Sequence, residues 1–477
     1  MENLILNKIN RDEILKKVIK NIPQDADIYL VGGYLRDALI NKESFDRDII
    51  VNNISSCDFA NIIGNIFQIK PILLDKENQI YRLVLQNKKD FFDVTKINGE
   101  SLADDLKSRD LTINSLAINL KTFEIVDKCG SLNDFNNKIL KTYDVKNMLS
   151  DPLRMLRVFR FASKLGFKTD KTLLNFINKN ANKINRVSKE RIIYEMLKFF
   201  EGKYSNIAFL DLQYNKILNE LFPFVDELKK VPPNLHHHLC LFHHSIETSN
   251  KIQEFYDTSS DKIKSHFDKT FANNISRLAH IKLAGFLHDI GKPSTWVIEE
   301  NTQRHRFIKH DEVGSELVVP YLTRLKFPKK TRKYIKKMIK HHIYPSSLMS
   351  SSDVSKKAIN RFYRKMDEDA LDVIILAKAD RTSALGVEIT KETVENNLRN
   401  LTKLENGWFE FCQNNKEIPK LINGLEIMEL LKLKSPKSLS NIIKTLHNAQ
   451  YDGVVKTKKE AKEFLLNNFD NNSVEQI

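Results

Sequence analysis

Up to about residue 125, apolar positions fall into short runs of strand character, DIYLVGG, RDIIV, YRLVLQ and FFDVT, which alternate with helical stretches and turn residues. The pattern predicts a mixed α/β module. After Pro152 the period changes: LRMLRVFRFASKL repeats apolar residues at helical spacing and sets arginines on the other face. Nearly everything beyond it reads as helix. KKVPPNLHHHLCLFHH breaks at Pro232 and Pro233 and opens a second helical stretch, rich in histidine, that reaches about Arg381. A last helical part ends in NGLEIMELLKLKSPKSLSNIIKTLHNAQYDG and a polar tail, FDNNSVEQI. No repeat of fixed period is present, and lysine and asparagine are spread without a low-complexity block long enough for a linker. The fold class is α+β, a mixed α/β head followed by a largely all-α remainder.

Length adds that 477 residues suffice for about three domains, each with its own core. Hydrophobic residues at 41% and charged ones at 29% are a globular balance and exclude a disordered chain. Lys and Arg number 76 against 61 Asp and Glu, and the resulting formal charge of +15 suits a polyanionic partner, nucleic acid first among them. The four cysteines, Cys57, Cys129, Cys240 and Cys412, lie far apart with no CxxC pair. That spacing excludes a disulfide framework and a thiolate zinc site, and fits a reducing cytoplasm. The opening MENLILNKINRDEILKKVIK is amphipathic and charged, without the apolar core of a signal peptide. No run of about 18 apolar residues occurs, so no membrane span is expected.

The segment YLVGGYLRDALINKESFDRDIIV carries the first candidate chemistry. A strand is expected to run into Gly32 and Gly33, with a helix starting near Tyr34; such a turn lets backbone approach a phosphate. Arg36, one turn into that helix, can add a charge-assisted contact to the same phosphate. Asp46 and Asp48, at i and i+2 on a strand, share one face, where two carboxylates repel unless a cation lies between them. Mg²⁺ is expected there, since it favours a few carboxylates together with substrate phosphates. Asp93, at the end of FFDVT, is either a third carboxylate of the group or a solvated strand end.

These residues resemble the class II tRNA nucleotidyltransferases, the CCA-adding enzymes, and the related bacterial poly(A) polymerases. The resemblance continues in order along about the first 200 residues. DDLKSRDLTINSLAI is similar to the family's second motif and implies that Arg109 meets the triphosphate, Asp110 the ribose hydroxyl, and that Asn114 helps hold the pocket. VDKCGSLNDFNNKIL is similar to the flexible third motif. SDPLRMLRVFRFASKLGF resembles the amino-acid template in which an Asp and an Arg read the incoming base; Asp151 and Arg154 take those positions, with Arg157 one turn on. Three apart on a helix, Asp151 and Arg154 supply an acceptor and a forked donor. Arg160 is expected on a solvated face. NRVSKERIIYEMLKFF resembles the fifth motif, which braces the neck. Two positions depart from the family: Ser150 stands where the template has Glu, keeping a helix-capping role, and Asn98 stands where Arg is common.

The histidine-rich stretch carries LFHHSIET, FLHDIGKPST, FIKHDEVGSE, MIKHHIY and LAKADRTS. The candidate ligands are His244, His288, Asp289, His310, His341, His342 and Asp380. Imidazoles with carboxylates suit Mn²⁺, Fe²⁺, Ni²⁺ or Zn²⁺, and a bridged pair of such ions acidifies a water into a nucleophile. The arrangement resembles the HD phosphohydrolase superfamily, whose H…HD…D core corresponds to His244, His288, Asp289 and Asp380. The extra histidines match binuclear members, Lys292 matches a lysine near their phosphate, and His236, His237 and His238 read as a surface lead-in.

Together the two resemblances imply a small polymerase-β-like nucleotidyltransferase head at residues 1–145 and a helical neck with the base-recognition motif at 146–230. An HD metal-binding domain at 231–390 and a helical RNA-binding tail at 391–477 complete the expected order. The implied activity is template-independent addition of CCA to tRNA 3′ ends from CTP and ATP in the cytoplasm, with metal-dependent phosphohydrolysis in the HD domain. A bacterial poly(A) polymerase, a CC-only or A-only enzyme, and an HD phosphohydrolase with an inactive head remain alternatives, and the oligomeric state is open. GLEIMELLKLKSPKSLSNIIKTL is similar to the family's tail segment, with its glycines largely replaced.

Overall fold

The computed structural model describes residues 1–351, 354–414, 421–433, 439–451 and 453–469. They form two compact units, one of residues 1–340 with 382–388, the other of 341–381 with 389–477. Among the described residues no helix is long and apolar enough to cross a membrane.

The first unit opens with α1 (Glu2–Arg11) and α2 (Glu13–Ile19), divided at Asp12, whose Oδ1 accepts the Ile14 and Leu15 N–H groups at 3.1 and 2.9 Å and so caps α2. All four expected strand runs are strands: β1 (Asp27–Val31), β2 (Asp46–Asn52), β4 (Ile80–Val84) and β5 (Phe91–Lys96). Three strands without a clear alternation of their own, β3 (Ile72–Asp75), β6 (Leu116–Asn119) and β7 (Ile125–Asp127), complete a sheet of order β3-β4-β5-β2-β1-β6-β7. Every neighbour pair is antiparallel except β2 with β5. That parallel pair needs a crossover, supplied by α4 (Ser56–Phe67) and the β3-β4 hairpin. A short α3 (Gly33–Leu39) follows β1, and α5 (Leu102–Lys107) follows β5.

Strand alternation divides the sheet into two faces. On one, Ile28, Leu30, Ile49, Val51, Phe92 and Val94 pack with Ile5, Ile9, Leu15 and Val18 of α1 and α2 and with Phe59 and Ile63 of α4. On the other, Val31, Ile50 and Ala117 meet Leu106 of α5 in a smaller cluster. Asp46 and Asp48 alternate in phase with Ile50 and share its face.

The Leu153–Leu165 and Lys189–Glu201 helices lie so close that Ser163 Oγ donates to the Phe199 carbonyl at 2.5 Å. Arg160 does not lie on the solvated face that the sequence led one to expect. Its side chain is 17% exposed, its Nε meets Glu195 Oε2 at 2.8 Å, and its guanidinium lies 4.2 Å over Phe161, because the second helix covers that face. Beyond them, Phe286 of the Arg277–Leu287 helix sits among Phe200, Phe209, Phe222 and Phe242 at ring separations of 6.3, 5.7, 5.8 and 6.4 Å. Buried Lys282 of the same helix donates to the Gly202 carbonyl and to Gln253 Oε1, each at 2.9 Å.

The second unit is helical. Ile427, Leu431, Ile442, Leu446 and Leu465 of its C-terminal helices form one core, and Asn423 with Glu426 makes a reciprocal cap at the start of Gly424–Leu430. Residues 434–438 of the tail motif and the polar tail beyond Phe469 lie outside the described residues.

Candidate active sites

The strand-to-helix turn after β1 holds Gly32 at a φ of 74°, a backbone conformation that favours glycine. A Cβ there would stand 3.0 Å from Asp48 Oδ2 and 3.2 Å from Arg109 Nη1, so the turn, one carboxylate and one guanidinium converge on a single point. The parallel register of β2 with β5 sets Asp48 opposite Asp93, and Asp46, Asp48 and Asp93 bring carboxylate oxygens within 4.8 Å of one another. Burial pushes the Asp46 carboxyl up to about 7, helped by the charges of Asp48 and Asp93, and burial raises Asp48 in the same direction. Asp46 Oδ1 is buried without a hydrogen-bond partner. Three clustered carboxylates with one orphaned oxygen fit a hard divalent cation. Asp93 also takes a two-pronged contact from Arg82, Nε at 2.8 and Nη2 at 2.6 Å.

Arg36 flanks the turn, its Nη2 3.5 Å from where a Cβ on Gly33 would be. Its hydrogen bonds go to the chain itself: Nε and Nη2 to Asp37 Oδ1 at 2.9 and 2.7 Å, Nη1 to Asn114 Oδ1 at 2.6 Å. These contacts brace the turn from Asp37 to Asn114. Asn114 also donates to Asp110 Oδ1 at 2.9 Å, the Leu111 N–H reaches the same oxygen at 2.8 Å, and Arg157 Nε reaches Asp110 Oδ2 at 2.7 Å. Against burial, which raises it, these partners with Arg157 foremost hold the Asp110 carboxyl down at about 2.

Arg109, Asp110, Asp151, Arg154 and Arg157 border one cavity of about 370 Å³, with Asn98, Asp105, Ser108 and Arg191. Asp151 and Arg154 do not share a helix face. Asp151 is extended and precedes the helix, where its Oδ1 accepts the Leu153 N–H at 3.2 Å. Ser150, expected to cap, ends the preceding short helix and donates to the Asn147 carbonyl at 2.9 Å, so the capping contact falls to Asp151. Arg154 Nη1 donates to the carbonyls of Ser108 and Asn147 at 2.7 and 3.1 Å. Arg191, missed as a site residue although it stands in the NRVSKERIIYEM motif, pairs with Asp151 at 2.6 Å. Only the packing of two helices distant in sequence reveals that pairing.

The second centre in the first unit gathers around Asp289. His244 comes from the Leu241–Thr258 helix, His288 from the end of Arg277–Leu287, and His310 from the start of His310–Arg324. Their Nε2 atoms stand 3.5, 3.1 and 3.3 Å from the Asp289 carboxylate. Their Nδ1 atoms face the carbonyls of Ser383, Gly285 and Phe307 at 3.4, 2.8 and 2.8 Å, which orients each ring. Lys292 Nζ lies 2.6 Å from Asp289. Burial opposes the Asp289 charge, yet His288 and Lys292 hold its carboxyl well below the usual range. Three imidazoles and a carboxylate fit a divalent transition metal. His237, expected in a surface lead-in, instead has its ring 4.6 Å from that of His244 and its Nε2 3.3 Å from Lys292. His341, His342 and Asp380 belong to the second unit.

Residues 28–141 match the family described as "Poly A polymerase head domain", residues 166–229 the "Probable RNA and SrmB- binding site of polymerase A", and residues 241–385 the "HD domain". The chain is 25% identical over 452 residues to the CC-adding tRNA nucleotidyltransferase of Thermus thermophilus, covering 93% of this chain and 94% of that one. It is 26% identical over 444 residues to the A-adding tRNA nucleotidyltransferase of Deinococcus radiodurans, covering 91% and 94%. Its fold is similar to that of the Bacillus stearothermophilus CCA-adding enzyme in complex with CTP, with a TM-score of 0.63 at 18% identity and full coverage of both chains. In its head, its middle segment and its HD module, the chain is thus similar along its length to tRNA nucleotidyltransferases and carries an HD domain.

Proposed function

We propose that the protein adds CCA to tRNA 3′ ends from CTP and ATP. The observation that carries this reading is the convergence of Gly32, Arg109 and the Asp46–Asp48–Asp93 cluster beside the arginine-lined cavity. In this reading Asp46 and Asp48, joined by Asp93, would hold Mg²⁺, which would acidify the attacking hydroxyl and offset the charge of the leaving pyrophosphate. Gly32 and Gly33 let the triphosphate approach the backbone closely, and Arg109 pairs with it beside Asp48. Arg36 acts on the same turn from behind, through Asp37 and Asn114. Asp110 keeps Arg157 aimed into the cavity and offers a remaining lone pair to the ribose hydroxyl. Asp151, Arg154 and Arg157 face the base. The tRNA 3′ oxygen would then bond to the α-phosphorus, its proton passing to solvent, as the bond to the pyrophosphate oxygen breaks. Alignment and charge neutralisation supply most of the rate in such transfers. The excess of Lys and Arg suits contact with the tRNA backbone.

The His244–His288–Asp289–His310 cluster supports a second activity, hydrolysis of a phosphoester at damaged RNA 3′ ends by a metal such as Mn²⁺, Ni²⁺, Fe²⁺ or Zn²⁺. A 2′,3′-cyclic or terminal phosphate is the fitting substrate, because its removal frees the hydroxyl that the head uses. His341, His342 and Asp380 are proposed as further ligands of this domain. None of the four cysteines forms a disulfide, which accords with a cytoplasmic location.

The test is incubation with tRNA transcripts lacking A, CA or CCA, with each nucleotide supplied separately. CCA addition requires two C and one A incorporated, then arrest. Incorporation of C alone, of A alone, or of an unlimited A tract replaces it with the corresponding CC-adding, A-adding or poly(A) activity.

A further inference from the structure

Arg47 lies between the two aspartates of the head, and strand alternation turns it to the opposite face of the sheet. Its side chain is 5% exposed and is held from two sides. Nε and Nη2 meet Asp12 Oδ2 at 2.9 and 2.8 Å, and Nη1 meets Asp90 Oδ1 at 2.7 Å. Asp12 also accepts the Tyr34 hydroxyl at 2.9 Å, and Asp90 accepts Asn87 Nδ2 at 2.6 Å. Tyr34 directly follows the Gly32-Gly33 turn, Asp12 divides α1 from α2, and Asp90 immediately precedes β5, the strand that carries Asp93. One guanidinium therefore ties together the glycine turn, the strand of Asp46 and Asp48, and the start of the strand of Asp93.

Two further observations separate this group from ordinary core packing. Arg47, Asp12, Asp90 and Tyr34 border a cavity of about 650 Å³ behind the sheet, so packing alone does not fix the start of β2. A buried ion network also carries a desolvation cost that an apolar residue avoids, and what it gains in return is a defined geometry.

We propose that Asp12, Arg47 and Asp90, tied to Tyr34, form the positioning group of the nucleotidyl-transfer site. They set the spacing of Asp46 and Asp48 and thereby the affinity of the head for its divalent cation. The inference rests on the reading of those aspartates as metal ligands.

The test uses the full-length protein with Asp12→Asn, Tyr34→Phe and Arg47→Lys. Mn²⁺ binding is followed by the loss of the free-ion paramagnetic resonance signal, and the share that disappears in Asp46→Ala defines the head site. Because small misplacements of reacting groups are costly, Asp12→Asn is expected to weaken head Mn²⁺ binding about tenfold and to lower kcat at least as much, with KM for CTP and affinity for tRNA within about twofold. Tyr34→Phe gives a smaller change in the same direction, and Arg47→Lys an intermediate one. A purely structural role would lower the melting temperature and leave the Mn²⁺ affinity of the folded protein unchanged. That result in the variants that fold overturns the proposal, and Tyr34→Phe, which removes one hydroxyl, keeps the test open should Asp12→Asn not fold. If Asp46→Ala itself leaves Mn²⁺ binding intact, the metal reading falls and the positioning proposal falls with it. If only the positioning variants are silent, the metal reading stands alone.

Discussion

A methyl group on Gly32 would sit 3.0 Å from Asp48 Oδ2 and 3.2 Å from Arg109 Nη1, on a backbone with a φ of 74°. Gly32→Ala is therefore expected to destabilise the head by about 1 kcal/mol or more from backbone strain alone. It should also raise KM for both nucleotides, measured by denaturant melts and initial rates. The base-facing residues invite a sharper comparison. Arg154 is bound to the Ser108 and Asn147 carbonyls, whereas Arg191 holds Asp151. Arg154→Ala should reduce discrimination among CTP, ATP, UTP and GTP more than it weakens triphosphate binding, as read from kcat/KM for each nucleotide. Undiminished discrimination would move base reading to Asp151 and Arg191. At this scale the sequence exposed what lies close in the chain: a glycine pair, an aspartate pair, an HD pair. Asp93's place beside Asp48 comes from strand register, so the chain alone left it open between third carboxylate and solvated strand end, and Arg191's place beside Asp151, set by packing, was not legible.

At the scale of elements, the strands with alternation or apolar runs were readable, while β3, β6 and β7 are short and exist through their neighbours. The first half of the neck helix was readable too, but the burial of Arg160 required its partner helix. The Arg277–Leu287 helix, buried along its whole length, offers no amphipathic signal. It carries Lys282, whose ammonium meets only neutral acceptors, and burial pushes its pKa from 10.5 down to about 7. A lysine with a depressed folded-state pKa binds fewer protons folded than unfolded between those two values. Its penalty is therefore full below about 7 and fades as pH rises toward 10.5. The difference in unfolding free energy between wild type and Lys282→Met should shift in favour of wild type across that window, by urea melts at successive pH values. A pH-independent difference would mean that the lysine stays charged throughout.

For the whole molecule, the head and HD centres share no side chain, so damage to one reaction need not touch the other. Asp289 is a poor site for the test, since its loss would strand buried Lys292 at 2.6 Å. His310, 15% exposed, is cleaner. His310→Ala should abolish metal-dependent phosphoester hydrolysis, assayed across a panel of divalent ions, and leave CCA addition within about twofold of wild type, because the two sites are separate. Parallel loss of both activities with an unchanged melting temperature would instead mean that the centres are coupled.

The ring of Phe286 among Phe200, Phe209 and Phe222 has a consequence for how the chain comes apart. A ribosome releasing only the first 230 residues would present Phe200, Phe209 and Phe222 to water with their partner still unsynthesised. The neck should therefore remain protease-sensitive until the Arg277–Leu287 helix emerges. In calorimetry the first 340 residues should melt as a single endotherm, and a protein cut after Lys230 should aggregate. Separate endotherms for head-plus-neck and HD module would show that this aromatic contact carries no cooperativity.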